Sequence, residues 1–124
     1  MKFLLILSTI ILSVGTKQGC HKKGSNTTFK GRLEVKGMCM NYTIKVLEGN
    51  IDKSLLEEKW TDETTGKSYT DVFALGSRCN FPSSIEQGGE FKFVIDTARV
   101  QECAVCLAYY PVPAKHLSIK VLDK

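Results

Sequence analysis

The chain has 124 residues, with 17 Lys and Arg against 13 Asp and Glu, five cysteines and two histidines. One domain is the natural count at this length. Without Lys2 and Lys17, which belong to the leader described below, 15 bases face 13 acids; this formal surplus of +2 is too small to draw nucleic acid or an anionic membrane by charge alone.

The first residues read as a secretion signal. Lys2 is a positive n-region, and Phe3 to Val14 is an uncharged, mostly apolar run of 12 residues, the length of a signal h-region and short of the roughly 20 needed to span a bilayer. The run is apolar all round, whereas a globular surface helix would show one apolar stripe. Two cleavage points fit. Ser13-Val14-Gly15 carries small residues in the spacing that signal peptidase recognises, and a cut before Cys20, after Gly19, would leave that cysteine as the first residue of the mature chain. Lys17 and Gln18 stand where lipoprotein signals usually carry an aliphatic and a small residue. Residues 21–28 are charged or small and lack apolar periodicity, as in a short tether.

Cysteine parity bears on the choice. Cys20, Cys39, Cys79, Cys103 and Cys106 are an odd number, so in an exported protein one must be accounted for. Acylation of Cys20 leaves four cysteines for two disulfides.

The remainder is patterned in strands. In 29–36, Phe29, Leu33 and Val35 share one face and Lys30, Arg32, Glu34 and Lys36 the other, up to Gly37. In 42–47, Tyr42, Ile44 and Val46 align before a Glu48-Gly49-Asn50 turn. Ser54-Leu55-Leu56-Glu57 has capping-box form and admits a short helix. The preferred reading of this stretch is a hairpin, Trp60–Glu63 turning through Thr64-Thr65-Gly66-Lys67 into Ser68–Leu75, with Gly66 supplying a positive φ. Gly76 to Gly89 is a long connection with room for one helical turn near Ser83–Glu86. Residues 91–96 align Phe91, Phe93 and Ile95, and 117–121 close the chain with the same period of two. One-sided strands imply antiparallel sheet. Two all-β architectures fit: a small Greek-key barrel of the OB type, or an immunoglobulin-like or transthyretin-like sandwich.

Cys103-Ala104-Val105-Cys106 has the CxxC spacing. A thioredoxin-type pair would open a helix whose dipole lowers the thiol pKa, but Leu107 to Tyr110 reads as a strand ending in Pro111 and Pro113. Haem attachment needs a His directly after the second cysteine, where Leu107 stands. Zinc sites favour two close Cys/His pairs, and Cys39 and Cys79 are isolated. In a strand, Cys103 and Cys106 point to opposite faces, so each is expected to bridge to Cys39 or Cys79; either assignment is open. Met38-Cys39-Met40, with His21 or His116, offers soft ligands suited to Cu(I), although an extended segment would place the methionines on one face and Cys39 on the other.

No hydrolytic constellation emerges. His21 lies in the tether, and His116 falls just before the last strand at a surface position. Asp62/Glu63 and Glu57/Glu58 read as solvated strand or turn positions. Asn26-Thr27-Thr28 and Asn41-Tyr42-Thr43 are glycosylation sequons, meaningful only in a eukaryotic secretory pathway. Tyr109-Tyr110-Pro111 and Trp60 are candidates for an aromatic binding surface.

The short signal and Cys20 followed by His21-Lys22-Lys23-Gly24, ahead of a compact β body, resemble small lipoproteins of Bacteroidetes-type bacteria over residues 1–28. The resemblance implies a lipid on Cys20 and an envelope location, periplasmic or cell-surface, and carries over no catalytic residue. The expectation is a signal peptide (1–19), a tether (20–28) and one β domain (29–124) acting as a non-enzymatic module that binds a protein, a glycan or a small ligand, without a cofactor. Two alternatives stand beside it. One is an envelope redox or metal (copper or zinc) protein built on Cys103 and Cys106 with Cys39 and Met38. The other is a secreted eukaryotic β domain glycosylated at Asn26 and Asn41.

Overall fold

A computed structural model describes residues 27–97, 103 and 106–122. The proposed signal, Cys20 and His21 lie outside the described residues. The domain is all-β, with seven strands: β1 (Phe29–Lys36), β2 (Tyr42–Glu48), β3 (Glu57–Thr61), β4 (Ser68–Leu75), β5 (Glu90–Ile95), β6 (His116–Leu117) and β7 (Ile119–Val121). They form one sheet in the order β3-β4-β2-β1-β5-β7, antiparallel throughout, with β6 added parallel to β4. Among the described residues, no helix is long and apolar enough to cross a membrane.

β1 shows how sequence becomes layer. Its residues alternate between buried and half-buried along all eight positions, because successive side chains leave a strand on opposite faces. Gly31 falls on the inner face, where a Cβ would sit 2.9 Å from Phe93 Cε1 and 3.2 Å from Ile44 Cγ2, so its missing side chain makes room for the Phe93 ring. Two register shifts in the β1–β2 ladder, between Lys30 and Gly31 and between Leu33 and Val35, bend the pair as bulges do.

The core gathers inside that curl. Phe93 is fully buried, with ring centroids 5.6 Å from Phe29, 5.9 Å from Phe73 and 6.0 Å from Phe91. Phe81, on the connection before β5, packs edge-on against Phe91 and Tyr42 and brings the long loop into the same cluster.

The last strand bridges the two sides of the sheet. Its two halves are separated by Ser118 alone: His116–Leu117 pairs with Ala74–Leu75 of β4, and Ile119–Val121 pairs with Phe93–Ile95 of β5. The switch occurs where a Cβ on Gly76 would meet Ser118 Oγ at 2.9 Å. Buried Ser77 secures it, its hydroxyl donating to Ile119 O (2.8 Å) and accepting from Ile119 N (2.9 Å). The terminal segment thus touches both β4 and β5, and the sheet is not closed, which is consistent with an all-β sandwich or barrel.

The 60–75 hairpin forms as expected, with its strands at Glu57–Thr61 and Ser68–Leu75. Elsewhere three short 3₁₀ turns replace the expected local structure. The capping-box segment makes one over Lys53–Leu55, capped by Asp52, whose carboxylate accepts from Ser54 N, and Glu57 then opens a strand. Arg78–Asn80 makes another, while the helical turn expected near Ser83–Glu86 is a single turn closed by Ile85 N to Pro82 O.

The third correction concerns Met38–Met40. It is a 3₁₀ turn rather than extended chain, with Cys39 and Met40 at φ 58° and 59°, uncommon for side-chain-bearing residues. The chain must reverse between β1 and β2 within five residues. Met38 is consequently exposed and Met40 packs on the core, so they do not share one face. Leu107–Tyr110 is not a strand either: residues 106–115 join no ladder. Pro111 and Pro113 lack the N–H that a ladder requires.

Replacing Phe93 by Ala is expected to cost about 3–5 kcal/mol in urea unfolding with the disulfides intact, and replacement by Leu clearly less. Equal, small losses would show the ring to be peripheral.

Candidate functional site

The segment from Cys106 to Lys115 is a strap, since the chain crosses the sheet there without hydrogen-bonding to it as a strand. β4 shows what it covers. Phe73 and Leu75 belong to the core, and Val72 and Ala74, which point to the opposite face, are buried as well. Fully buried Pro113 lies on the strap, and its neighbour Lys115 accepts a hydrogen bond from Ala74 N at 2.8 Å.

Three side-chain attachments hold the rest of the strap. The first is covalent: Cys39 is bonded to Cys106, and Cys79 to Cys103. The CxxC cysteines therefore cross-link separate parts of the chain and do not bridge to each other. The sequence separations of 67 and 24 residues correspond to roughly 4 and 3.5 kcal/mol of unfolded-state restriction in the loop-entropy picture. With these sulfurs paired, Cys39, Cys103 and Cys106 offer no thiolate to a metal or redox partner. Among the described residues no cluster of three or more Cys, His, Asp or Glu is placed to hold an ion. His116 is exposed, its Nδ1 3.1 Å from Ala114 O.

The second attachment is Asn41. Its Nδ2 donates to Met38 O (2.9 Å) and to Ala108 O on the strap (3.2 Å), while its Oδ1 accepts from Arg78 Nη2 (3.1 Å). This buried amide ties the β1–β2 turn, the strap and the Cys79 turn together. An N-linked sugar on Asn41 would replace one of the two Nδ2 hydrogens and so break at least one of the donated bonds on a buried side chain, which weighs against a glycan at this sequon. Asn26 lies outside the described residues.

Tyr110 makes the third attachment. Its ring rests on Gly37, where a Cβ would lie 2.8 Å from Cδ1, and its hydroxyl donates to Asp62 Oδ2 at 3.1 Å. Asp62, read from sequence as a solvated turn residue, is 0% exposed. Its other oxygen accepts from Thr64 N (2.8 Å), and its backbone closes the hairpin through Lys67 O and Gly66 N. An Asx turn at Asp62-Glu63-Thr64 could have been suspected from sequence; the burial could not, because it is imposed by Tyr110, 48 residues away. Burial raises the Tyr110 phenol above its ordinary pKa, and the hydrogen bond to Asp62 adds to the effect. Tyr69 is raised chiefly by burial, then by the charges of Glu34 and Asp62.

What these attachments present is apolar. Leu107 is 98% exposed, Tyr109 81% and Met38 59%, and these are the large apolar side chains left in solvent among the described residues. Beside them an open cleft of about 480 Å³ is lined by Met38, Glu63, Thr64, Tyr109, Tyr110 and Pro111. Trp60, which the sequence grouped with these tyrosines, instead stacks on Tyr69 across the β3–β4 hairpin at 5.8 Å. A second, smaller hollow of about 160 Å³ lies by Gly49, Asn50, Lys53 and Asp71, where Lys53 Nζ is 3.4 Å from Asp71 Oδ1.

Replacing Tyr110 by Phe keeps the ring and removes the bond to Asp62, and is expected to cost about 1–3 kcal/mol at neutral pH. The pH dependence follows from the raised phenols: the folded state holds these protons more tightly than the unfolded chain. Their contribution is therefore complete below the ordinary tyrosine value of about 10 and is lost as pH climbs through the folded values. Denaturation followed against pH should show an alkaline decline that is shallower in the Phe variant; an identical decline would remove Tyr110 from it.

No family model matches this chain, and no curated protein or solved structure matches it. What the strap presents must therefore be read from its own chemistry.

Proposed function

We propose that this protein is an exported, lipid-anchored module of the cell envelope that binds a partner through the strap surface and performs no catalysis. The carrying observation is a cleft lined by exposed Met38 and Tyr109, with Leu107 exposed two residues before Tyr109 on a strap fastened by a disulfide at Cys106 and by the Asn41 and Asp62 hydrogen bonds. Contiguous exposed apolar side chains mark interaction surfaces, and tyrosine and methionine are enriched in interface cores. A segment already fixed in place loses little conformational entropy on binding.

The two disulfides indicate an oxidising, non-cytoplasmic compartment. Anchoring is argued from the sequence: with four cysteines paired, Cys20 is the odd one out, placed after an apolar leader and before a polar tether. A lipid there would hold the domain at a membrane, facing the periplasm or the cell surface. The paired cysteines weigh against the redox or metal alternative, and the occupied Asn41 amide against the glycosylated one.

Two experiments test the two halves. The intact mass of the protein from its native membrane should carry a lipid increment on Cys20 and gain four alkyl groups only after reduction; an unmodified Cys20 would remove the anchor. A photo-reactive phenylalanine analogue at position 109 should trap a discrete adduct in intact cells, while the same residue at exposed Lys59 should not. Equal labelling at both positions would show that the strap is not the binding face.

A further inference from the structure

We infer that the cleft beside the strap accepts an arginine side chain from a peptide segment of a protein partner. This inference rests on the binding-module reading and adds the ligand's chemistry. The observation behind it is an imbalance of hydrogen-bonding groups. Of the six lining residues, Met38 and Pro111 bring no side-chain donor, and the Tyr110 hydroxyl is already spent on Asp62. Glu63 brings two acceptor oxygens on an exposed carboxylate that has no ion pair among the described residues. The Thr64 side chain bonds to Tyr110, which leaves the Tyr109 hydroxyl as the side-chain donor without a partner among these six.

An anion would find no cation in this lining. A sugar, whose hydroxyls must both give and receive, would find too few donors. A cation needs acceptors and electron-rich faces, and the cleft supplies both.

The rings are suited to that role. Tyr109 stands free in solvent with its face available. Tyr110 donates its proton toward a buried carboxylate, which enriches its ring in electron density. The carboxylates of Asp62, behind the lining, and Glu63, within it, give the cleft a local negative field despite the positive formal charge of the whole chain. The basic groups nearby are engaged elsewhere or outside the lining: Lys36 Nζ contacts Ile85 O and Glu86, Arg78 is held by Asn41, and Lys67 is in the exposed hairpin turn.

Guanidinium is favoured over ammonium because its plane can stack on a tyrosine while its edge makes two parallel bonds to Glu63. A peptide is favoured over a free small cation because Met38 adds an apolar side chain within the lining and Leu107, two residues before Tyr109, is exposed outside it. These apolar groups suit an apolar neighbour next to the charged side chain.

The test titrates the full exported chain, in non-ionic detergent, into the dye-labelled, capped pentapeptide Gly-Leu-Arg-Leu-Gly and reads fluorescence anisotropy. Affinity is expected on the order of 0.1–1 mM, since a single anchor supplies it, and to weaken with salt. Citrulline in place of arginine keeps the shape and removes the charge, and should weaken binding at least tenfold. Glu63→Gln and Tyr109→Ala, both at exposed positions and checked for unchanged melting, should each weaken it about fivefold or more, while Lys59→Ala should leave it unchanged.

Equal affinity for the citrulline peptide, or an unchanged affinity in Glu63→Gln, would overturn the inference, as would Tyr109-dependent binding of the neutral sugar maltotetraose in place of the peptide. In any of these cases a position-109 adduct in cells would leave the binding surface standing with a different ligand. Loss of that adduct would remove the surface itself.

Discussion

The chain between Cys106 and Lys115 has to cross the sheet without a ladder to hold it. Two prolines in five residues, Pro111 and Pro113, deny it the donors a strand would need, so its position depends on side chains. The bond from Tyr110 to the buried Asp62 carboxylate is the one on which most else turns. It gives Asp62 Oδ2 a partner beside the one Oδ1 has in Thr64 N, and a buried carboxylate oxygen left unpaired costs more than a hydrogen bond gains. Asp62 in turn organises the β3–β4 turn through Thr64 N and Gly66 N. Moving the strap would leave Asp62 Oδ2 without its bond to Tyr110, so the aromatic surface and the turn beneath it are coupled.

The disulfides act on the same segment from its other end. A domain of this size buries only about 65% of its unfolded surface, and here the core cluster around Phe93 contains no residue of the strap. Covalent attachment at Cys103 and Cys106 does for the strap what apolar burial does for β1 and β5. Cys39 sits in a turn where two successive residues adopt positive φ, a conformation disfavoured for residues with a Cβ. Attachment to Cys106 and the Asn41 bonds keep that turn in place.

The inner sheet was legible from the sequence because its information is local. Phe29, Leu33 and Val35 announce the face of β1 by their spacing alone, and the observed strand has the expected ends. The same holds for the aromatic face of β5 and for the hairpin, where Gly66 takes φ 74° as its turn demands. The disulfide framework was legible for a different reason. Bridges from Cys39 and Cys79 to the CxxC pair are expected from a strand that would turn Cys103 and Cys106 to opposite faces; residues 106–115 join no ladder, yet the bridges form, as Cys39–Cys106 and Cys79–Cys103.

The site was hidden where the deciding contacts are far apart in sequence. Leu107-Ala108-Tyr109-Tyr110 has the composition of a strand, and nothing local reveals that Ala108 O will be claimed by Asn41 or the Tyr110 hydroxyl by Asp62. Asp62 and Glu63 look equivalent as letters, yet one is sealed under the strap and the other is exposed on the cleft. That difference defines the surface. The sealed carboxylate fixes and polarises Tyr110 without meeting a ligand, while the exposed one is free to bond. Burial thus makes one of two adjacent acids a structural anchor and leaves the other on the cleft wall, where the proposed arginine would meet it. The strap that separates them is also the element that carries Leu107 and Tyr109 into solvent, so its fastening and the exposure of its apolar side chains are consequences of one packing arrangement.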